Sequence, residues 1–527
     1  MIENALRQWR DLLGEESVVV DRDLLAEYES ATFNTRRRIR GILRPQISNT
    51  VADVVRTAYE NRLTLYPVSR GLNWGLGSRV PTADDCFILD LGELKKLEYD
   101  SEQGTITVEP GVSFAEVSEH LEKLSSPHFI SVIGGPPQAS LIGNLVERGD
   151  GLGLMGERAN HSCNLKIVSG LGETFRTGFG SFQHSRLKNL SKWGVGPSLD
   201  GIFTQSNLGI ITEATFWLQE KPRHFQSLVF TLKKENAIQN AFPTIKQLIN
   251  QGVLSPFSIG IWNSYKYAAT MARHPKPGEN ENININELLQ ATNPKLKDVE
   301  WFGVGAIYSG TDAIGKAKKK AVKKQLNQYC QQLLFVDQKT SRRIRRGNKF
   351  FSFFGKEILD EDTLDSLFKN SVFQGNPTMK SVRSIYWRKP GDIPMDANAD
   401  RDKCGIHWMC HAVPFAKTDI SRATEIVKDI LLSKGLEPNI AFLPASPRHL
   451  HLCVAIIYDR EVKLADEIAL ACHDSVFSQL TKSGYSPYRL GIQSMKWLEE
   501  SDRLGKDIYK RLKGLFDPNN VIAPGRY

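Results

Sequence analysis

The sequence has few of the features that mark a membrane, a disulfide-bonded or a hydrolytic protein. No apolar run among its 527 residues approaches the ~18 needed to span a bilayer, so no membrane partner is expected. Met1 to Gln8 carries Glu3 and Arg7 and leads into no apolar core, so no secretory signal is expected. Cysteine is scarce: seven, an odd number, lie scattered from Cys86 to Cys472 without a C-x-x-C. That excludes a disulfide framework and fits a reducing, cytoplasmic compartment. No G-x-S-x-G elbow occurs, which leaves a serine hydrolase without support. The net charge of +9 is modest for this length. The basic runs, Lys316–Lys324 and Arg342, Arg343, Arg345 and Arg346, come with no RNA or DNA recognition motif. They read as a solvated helix face and loop, with docking of an acidic partner as the alternative, and nucleic acid is not expected.

What is present is ordinary globular composition, 41% hydrophobic and 24% charged, over a length that suits two or three domains. Residues 1–14 read as a helix. Gly41–Pro45 is strand-like, and 50–61 is a helix with Val51, Val54, Val55 and Ala58 on one face and Ser48 or Thr50 as cap. Ile88–Leu91 and Gly104–Val108 are strands, and Ser113-x-x-Glu116 is a capping box for a helix through Leu124. Leu165–Val168 and Phe175–Thr177 form a hairpin, and Phe216–Leu218 another strand. From about 223 the character changes, with a strand over 227–232 and a helix over 236–251. The polar stretch 273–299 reads as an exposed insertion. Gly405–Pro414 and His449–Tyr458 are strands. His407, Met409, His411 and Val413 share one face of the first; His449, His451 and Cys453 share one face of the second. Helices follow near 420–433, 463–482 and up to Leu515.

The stretch that organises the chain is Tyr66–Val80, Y-P-V-S-R-G-L-N-W-G-L-G-S-R-V. Gly71, Gly75 and Gly77 let backbone approach a ligand and let successive N–H groups point inward, while Ser69, Asn73 and Ser78 add donors. The loop matches neither G-x-G-x-x-G nor G-x-x-x-x-G-K-[ST]. It suits a pyrophosphate, or is simply a turn between strands. A metal site built from His407, His411, His449, His451 and Cys410 is disfavoured, because strand residues four apart lie ~13 Å from each other.

Pro67 to Gly77 resembles the pyrophosphate loop of the vanillyl-alcohol oxidase / p-cresol methylhydroxylase family of FAD enzymes. Val108-Glu-Pro-Gly111, the G-N-x-x-E-R-G stretch from Gly143, Asp200–Thr212 and Asp517–Gly525 resemble that family in the same order. The resemblance implies an α+β, two-domain FAD-binding fold with an antiparallel-sheet cap. The FAD-binding domain would be 1–222 completed by 488–527, and the cap 223–487. It implies that Pro67, Ser69, Arg70, Gly71, Leu72, Asn73, Trp74, Gly75, Ser140, Gly143, Asn144, Ile210 and Ile211 hold FAD. Glu147 and Arg148 are either a buried ion pair or ligand contacts. Gly405-Ile-His407 resembles the position at which histidyl-linked members attach the flavin covalently; otherwise His407 is a packed cap residue. Tyr488 and Arg489 resemble a pair that faces the substrate and holds an oxyanion. His451 resembles a histidine near the flavin, and His449 reads as structural.

The implied reaction is two-electron oxidation of a small aromatic or apolar molecule, an alcohol, amine or benzylic C–H, by hydride transfer to flavin N5. Electrons would pass to O2 or, alternatively, to a cytochrome or quinone carrier; a flavin-binding protein without turnover is a further alternative. Self-association is left open. The sequence departs from the phenol oxidases at Leu76, Leu152 and Gly135, where they carry two aromatic hydroxyls and an Asp. A simple para-alkylphenol is therefore not the expected substrate. Asn73 stands where doubly linked flavoproteins have a His, so no second covalent link is expected.

Overall fold

The computed structural model describes residues 1–527 apart from 36, 234–236, 279–280, 352–360 and 501, and apart from the side chains of 349–351. Helix α1 (Ile2–Leu13) buries Ala5, Leu6 and Trp9. Against it lies a four-stranded sheet in the order β1 (Val18–Val19), β2 (Ile39–Leu43), β4 (Cys86–Asp90), β3 (Leu65–Val68). Helix α2 (Thr50–Glu60) covers this sheet and buries Val51, Val54, Val55 and Ala58, the apolar stripe of the sequence. Its N-cap is Asn49, which makes no side-chain cap. Thr50 donates its hydroxyl back to the Ile47 carbonyl instead. The C-terminal tail returns to this sheet, where Leu65 pairs with Ile522. Asp517 is buried and its carboxylate accepts from the backbone of Val521 and Ile522 and from Lys513.

The second sheet runs β5 (Leu97–Asp100), β6 (Thr105–Val108), β9 (Gly209–Trp217), β7 (Ser162–Ser169), β8 (Thr174–Arg176). Ser113 and Glu116 form the expected capping box of α3 (Phe114–Lys123). Helix α4 (Leu141–Val146) packs beside them on the same apolar cluster.

Apart from a two-stranded pairing of His128–Phe129 with Gln219–Glu220, the remaining strands make one eight-stranded sheet, antiparallel at every pairing. They are β10 (His224–Lys233), β11 (Ile259–Asn263), β12 (Val299–Ser309), β13 (Cys330–Val336), β14 (Cys404–Pro414), β15 (Asn439–Pro444), β16 (His449–Asp459) and β17 (Pro487–Arg489). Their spatial order is β13-β10-β12-β11-β15-β16-β14-β17. Helix α5 (Ser264–Met271) follows β11 directly, and α6 (Lys417–Leu432) and α7 (Ala465–Lys482) pack against β14. The C-terminal helix α8 (Arg503–Phe516) leads into the tail.

Two expectations change. The helix read over 236–251 is a π turn at Ala237–Ala241 followed by a helix over Phe242–Asn250, and Asn236 lies outside the described residues. The stretch 273–299 is not wholly exposed. It carries a helix at Ile285–Thr292, and Leu289, Leu296 and Val299 are buried in the core that includes Trp387 and Ile406. Its polar composition masks these few anchors. Within it, His274 is buried beside the Arg388–Glu437 ion pair. Among the described residues no helix is long and apolar enough to cross a membrane.

Candidate functional site

The glycine loop is held from two sides. Trp408 on β14 donates its backbone N–H to the Gly75 carbonyl at 3.1 Å, and Gln493 reaches the same oxygen at 3.0 Å. The Gly75 N–H goes to Thr32 at 2.8 Å. Gly75 has φ +78°, and a Cβ there would sit 2.4 Å from the Trp408 ring. No other residue suits both the conformation and the approach. Between these anchors the backbone N–H groups of Arg70 through Trp74 have no hydrogen-bond partner among the described residues. Successive unpaired N–H groups on a fixed loop form an anion cradle. At Gly143 on α4 a Cβ would lie 2.6 Å from Ser69 Oγ, so the helix meets the loop through a missing side chain. The cradle fits a pyrophosphate.

Other residues singled out in the sequence contribute differently. Ser140 caps α4, accepting from the Gly143 N–H and donating to the Pro110 carbonyl, so its hydroxyl is committed. Asn144 accepts from Arg158, and Arg70 donates to the Gln138 carbonyl. Trp74 points its indole N–H at Asp400, 3.1 Å away, and offers the cradle only backbone. Leu72 packs between two apolar clusters. Pro67 pairs with Leu89 in the first sheet. Ile210 and Ile211 pair with Val168 and Ile167, their side chains in different clusters.

Glu147 and Arg148 do not pair with each other. Glu147 is bound by Arg526 and by the Tyr527 hydroxyl, with Arg489 Nε 3.9 Å away. Burial would raise its carboxyl, but the Arg526 and Arg489 charges outweigh that and hold it below the usual range. Arg148, at φ +45°, turns instead to Gly201 and Thr204. Adjacent residues on a turn point apart, so sequence neighbours made poor partners.

Arg489 donates to the Asn73 side chain at 2.8 Å, joining strand β17 to the glycine loop. Its Nε is buried and makes no hydrogen bond among the described residues. Next to it, Tyr488 stacks on His451, ring centroids 3.7 Å apart and nearly parallel. Both converge on one carboxylate oxygen of Asp150, at 2.7 Å from His451 Nδ1 and 3.4 Å from the Tyr488 hydroxyl. Burial pulls the His451 imidazole down, yet the Asp150 charge and hydrogen bond prevail and its pKa is raised. The Tyr488 phenol is pushed well above its usual range by burial and by neighbouring Cys410, Cys453 and Asp150. Cys410 and Cys453 face each other across β14 and β16, with Cys453 Sγ 3.3 Å from the Tyr488 hydroxyl.

His407 is not brought to this cluster. In the β14–β16 register His407 opposes Ile456 while Cys410 opposes Cys453. Side chains alternate across a strand, so His407 and His411 lie on one face, and Trp408, Cys410, Cys453 and His451 on the other. His407 is 1% exposed, stacked between Phe33 and Tyr458 and beside His473 of α7. Burial then His473 hold it well below the usual histidine range. His407, read from the sequence as either a flavin attachment point or a packed cap residue, lies packed under α7. The same alternation separates His407 and His411 from His449 and His451. Among the described residues no three His, Cys, Asp or Glu gather as a metal site.

Asp150 went unread in the sequence, although it directly follows E-R-G. Its role depends on residues about three hundred positions away. Lys266 likewise carried no local signal as a site residue.

An anion cradle joined through Arg489 to a half-buried Tyr–His–Asp cluster suits a nucleotide cofactor, and comparison with known proteins gives the class of the protein as FAD-dependent oxidoreductase. Residues 39–178 match an FAD binding domain family. The chain is 36% identical to 1'-carboxy-chondrochloren decarboxylase of Chondromyces crocatus, over 100% of this chain and 97% of that one. It is 25% identical to the 4-cresol dehydrogenase [hydroxylating] flavoprotein subunit of Pseudomonas putida, over 99% and 94%. The chain belongs to the p-cresol methylhydroxylase / vanillyl-alcohol oxidase family of FAD enzymes. Its fold matches that of p-cresol methylhydroxylase with substrate bound, TM-score 0.85 at 24% identity over 100% of this chain and 96% of the other. It also matches 4-ethylphenol oxidase from Gulosibacter chungangensis, TM-score 0.87 at 20% identity, over 100% and 96%.

Proposed function

We propose that this enzyme removes a hydride from a carbon of an aromatic or apolar substrate and passes the electrons to O2. Residues 1–222 with 488–527 carry FAD, and 223–487 close over it. Bound FAD supplies the hydride acceptor. Arg70 through Trp74 would hold its pyrophosphate, while the Arg489 guanidinium, whose buried Nε makes no hydrogen bond among the described residues, would stabilise developing negative charge. Tyr488 and His451, fixed by Asp150, would orient a substrate oxygen by hydrogen bonding to it. The observation that carries this reading is the convergence of Tyr488 and His451 on Asp150 beside Arg489. FAD is held without a bond to His407.

The decarboxylase among the relatives favours a second reading, in which a carboxylate leaves with the hydride. The C–H bond gives up its hydride and the adjacent C–COO⁻ bond breaks. The electron pair of that bond becomes a new C=C bond, and CO2 departs.

The test is anaerobic mixing of the holoprotein with para-substituted phenols, aryl alcohols and aryl acids. Bleaching of the flavin by at least one of them, followed by reoxidation in air, is expected. No bleaching by any would remove the redox reading, and reoxidation only by a cytochrome or quinone would replace O2 as acceptor. Acid precipitation of the same protein should leave yellow colour in the supernatant, and His407→Ala should bind FAD as the parent does. Colour retained on a peptide containing His407 would overturn the non-covalent assignment.

A further inference from the structure

The substrate face of the large sheet holds a cation that no acidic side chain of the described chain neutralises. Lys266, on α5, is 7% exposed. Its ammonium donates to Ser384 Oγ at 3.0 Å and stands 5.3 Å from the Trp408 ring centroid. The Ser384 hydroxyl proton is itself given to the Ser381 carbonyl, so that oxygen serves Lys266 only as an acceptor. An ammonium has three N–H donors, and Ser384 takes one of them. Among the described residues no Asp or Glu lies within ion-pair distance, and Cys453 is the one titratable group whose charge bears on it. Burial brings the ammonium down to about 8.

Its placement is specific. Trp408 lies against the Gly75 turn, and Trp408 and Cys453 share the sheet face that carries His451. Cys453 in turn touches Tyr488. Lys266 therefore borders the same space as the Asp150 cluster and the cofactor cradle, at the side walled by Trp408. A buried, unneutralised ammonium is unfavourable in the empty protein, and an anionic ligand offsets that. One ammonium carries a single compact charge, which a singly charged carboxylate neutralises in full.

We propose that Lys266 recognises the carboxylate of an aromatic or apolar carboxylic acid, holding the acid group at the Trp408 side while the oxidisable carbon faces the flavin. This rests on the oxidoreductase reading above and names its substrate class. Lys266 touches the substrate but takes no part in breaking the C–H bond.

The probes are 3-(4-hydroxyphenyl)propanoate, its methyl ester and 4-ethylphenol, titrated anaerobically into holoprotein while the flavin absorbance is followed. The acid should bind at least about tenfold more tightly than the ester. Lys266→Met should abolish that preference, and Lys266→Arg should keep part of it, with FAD content unchanged. Acid binding by the parent should weaken as pH rises through about 8, where the ammonium is lost. Ester binding should not weaken; the hydrogen bond with Cys410 and burial hold the Cys453 thiol protonated, and Cys410, whose thiol the same hydrogen bond holds below the usual range, is controlled for by the loss of the pH dependence in Lys266→Met. Equal binding of acid and ester by the parent would overturn the proposal, as would an acid preference that survives Lys266→Met. If the Met variant fails to retain FAD, Lys266→Gln carries the same comparison. Lys266-dependent acid binding without bleaching by any probe would sink the redox function alone. Bleaching by uncharged aromatics with no acid preference would sink this inference alone.

Discussion

Replacing Arg489 by methionine should lower kcat by about 10²–10³-fold while FAD remains bound, because it removes a pre-aimed charge from a water-poor site. The guanidinium is placed by Asn73 on one side, and its Nε makes no hydrogen bond among the described residues, a Glu147 carboxylate oxygen standing 3.9 Å from it. A buried donor left open in this way is unfavourable until something with negative charge meets it. In an enzyme that accumulates charge as hydride leaves the substrate, that meeting comes late in the reaction. The loss should therefore fall on kcat more than on KM. Arg489→Lys keeps the charge but not the fork, and should recover only part of the rate. Stopped-flow reduction of the flavin by a turnover substrate measures this directly. A reduction rate within about fivefold of the parent, in a variant with full FAD content, would mean that the residue only ties β17 to the glycine loop.

Asp150→Asn should have the second large effect, on rate and on its pH dependence. In the parent, burial favours neutral His451, but the Asp150 carboxylate at 2.7 Å outweighs it and the imidazolium persists above the usual histidine range. The amide removes that charge and leaves burial unopposed. The pH limb assigned to His451 should then move down by about 1–3 units, and reduction should slow by about 10²-fold or more. Stability gives an independent reading. A group whose folded pKa is raised stabilises the fold below its unfolded pKa, and that contribution disappears as pH rises through the folded value. The parent should thus exceed Asp150→Asn in stability by more at about pH 5 than at about pH 9. A stability gap independent of pH, with an unmoved rate profile, would show that the pair does not carry charge.

Much of the scaffold was legible in the chain. The apolar stripe of α2, the capping box of α3 and the strands β14 and β16 follow from local periodicity, which is set by residues within a turn or two. The glycine loop was legible because missing Cβ atoms leave a local mark. Its unpaired N–H run needs only its own backbone, though Trp408 and Thr32 fix its shape.

The other side of the site was not legible, for reasons of distance and parity. Periodicity placed His407 on one face of its strand but could not say which face meets the cofactor. That depends on the β14–β16 register and on α7 packing over His407. Glu147 found Arg526 at the far end of the chain rather than its neighbour Arg148. Asp150 gained meaning only when β16 and β17 brought His451 and Tyr488 to it. Lys266 stood in an unremarked N-S-Y-K-Y run until the fold buried it beside Trp408. By itself the sequence determined the glycine-rich loop and the repertoire of strands and helices, because these rest on local backbone geometry and hydrophobic spacing. Only the tertiary structure decided which side chains share the reaction space, because a long-range register and an overlying helix set which face of each strand turns inward.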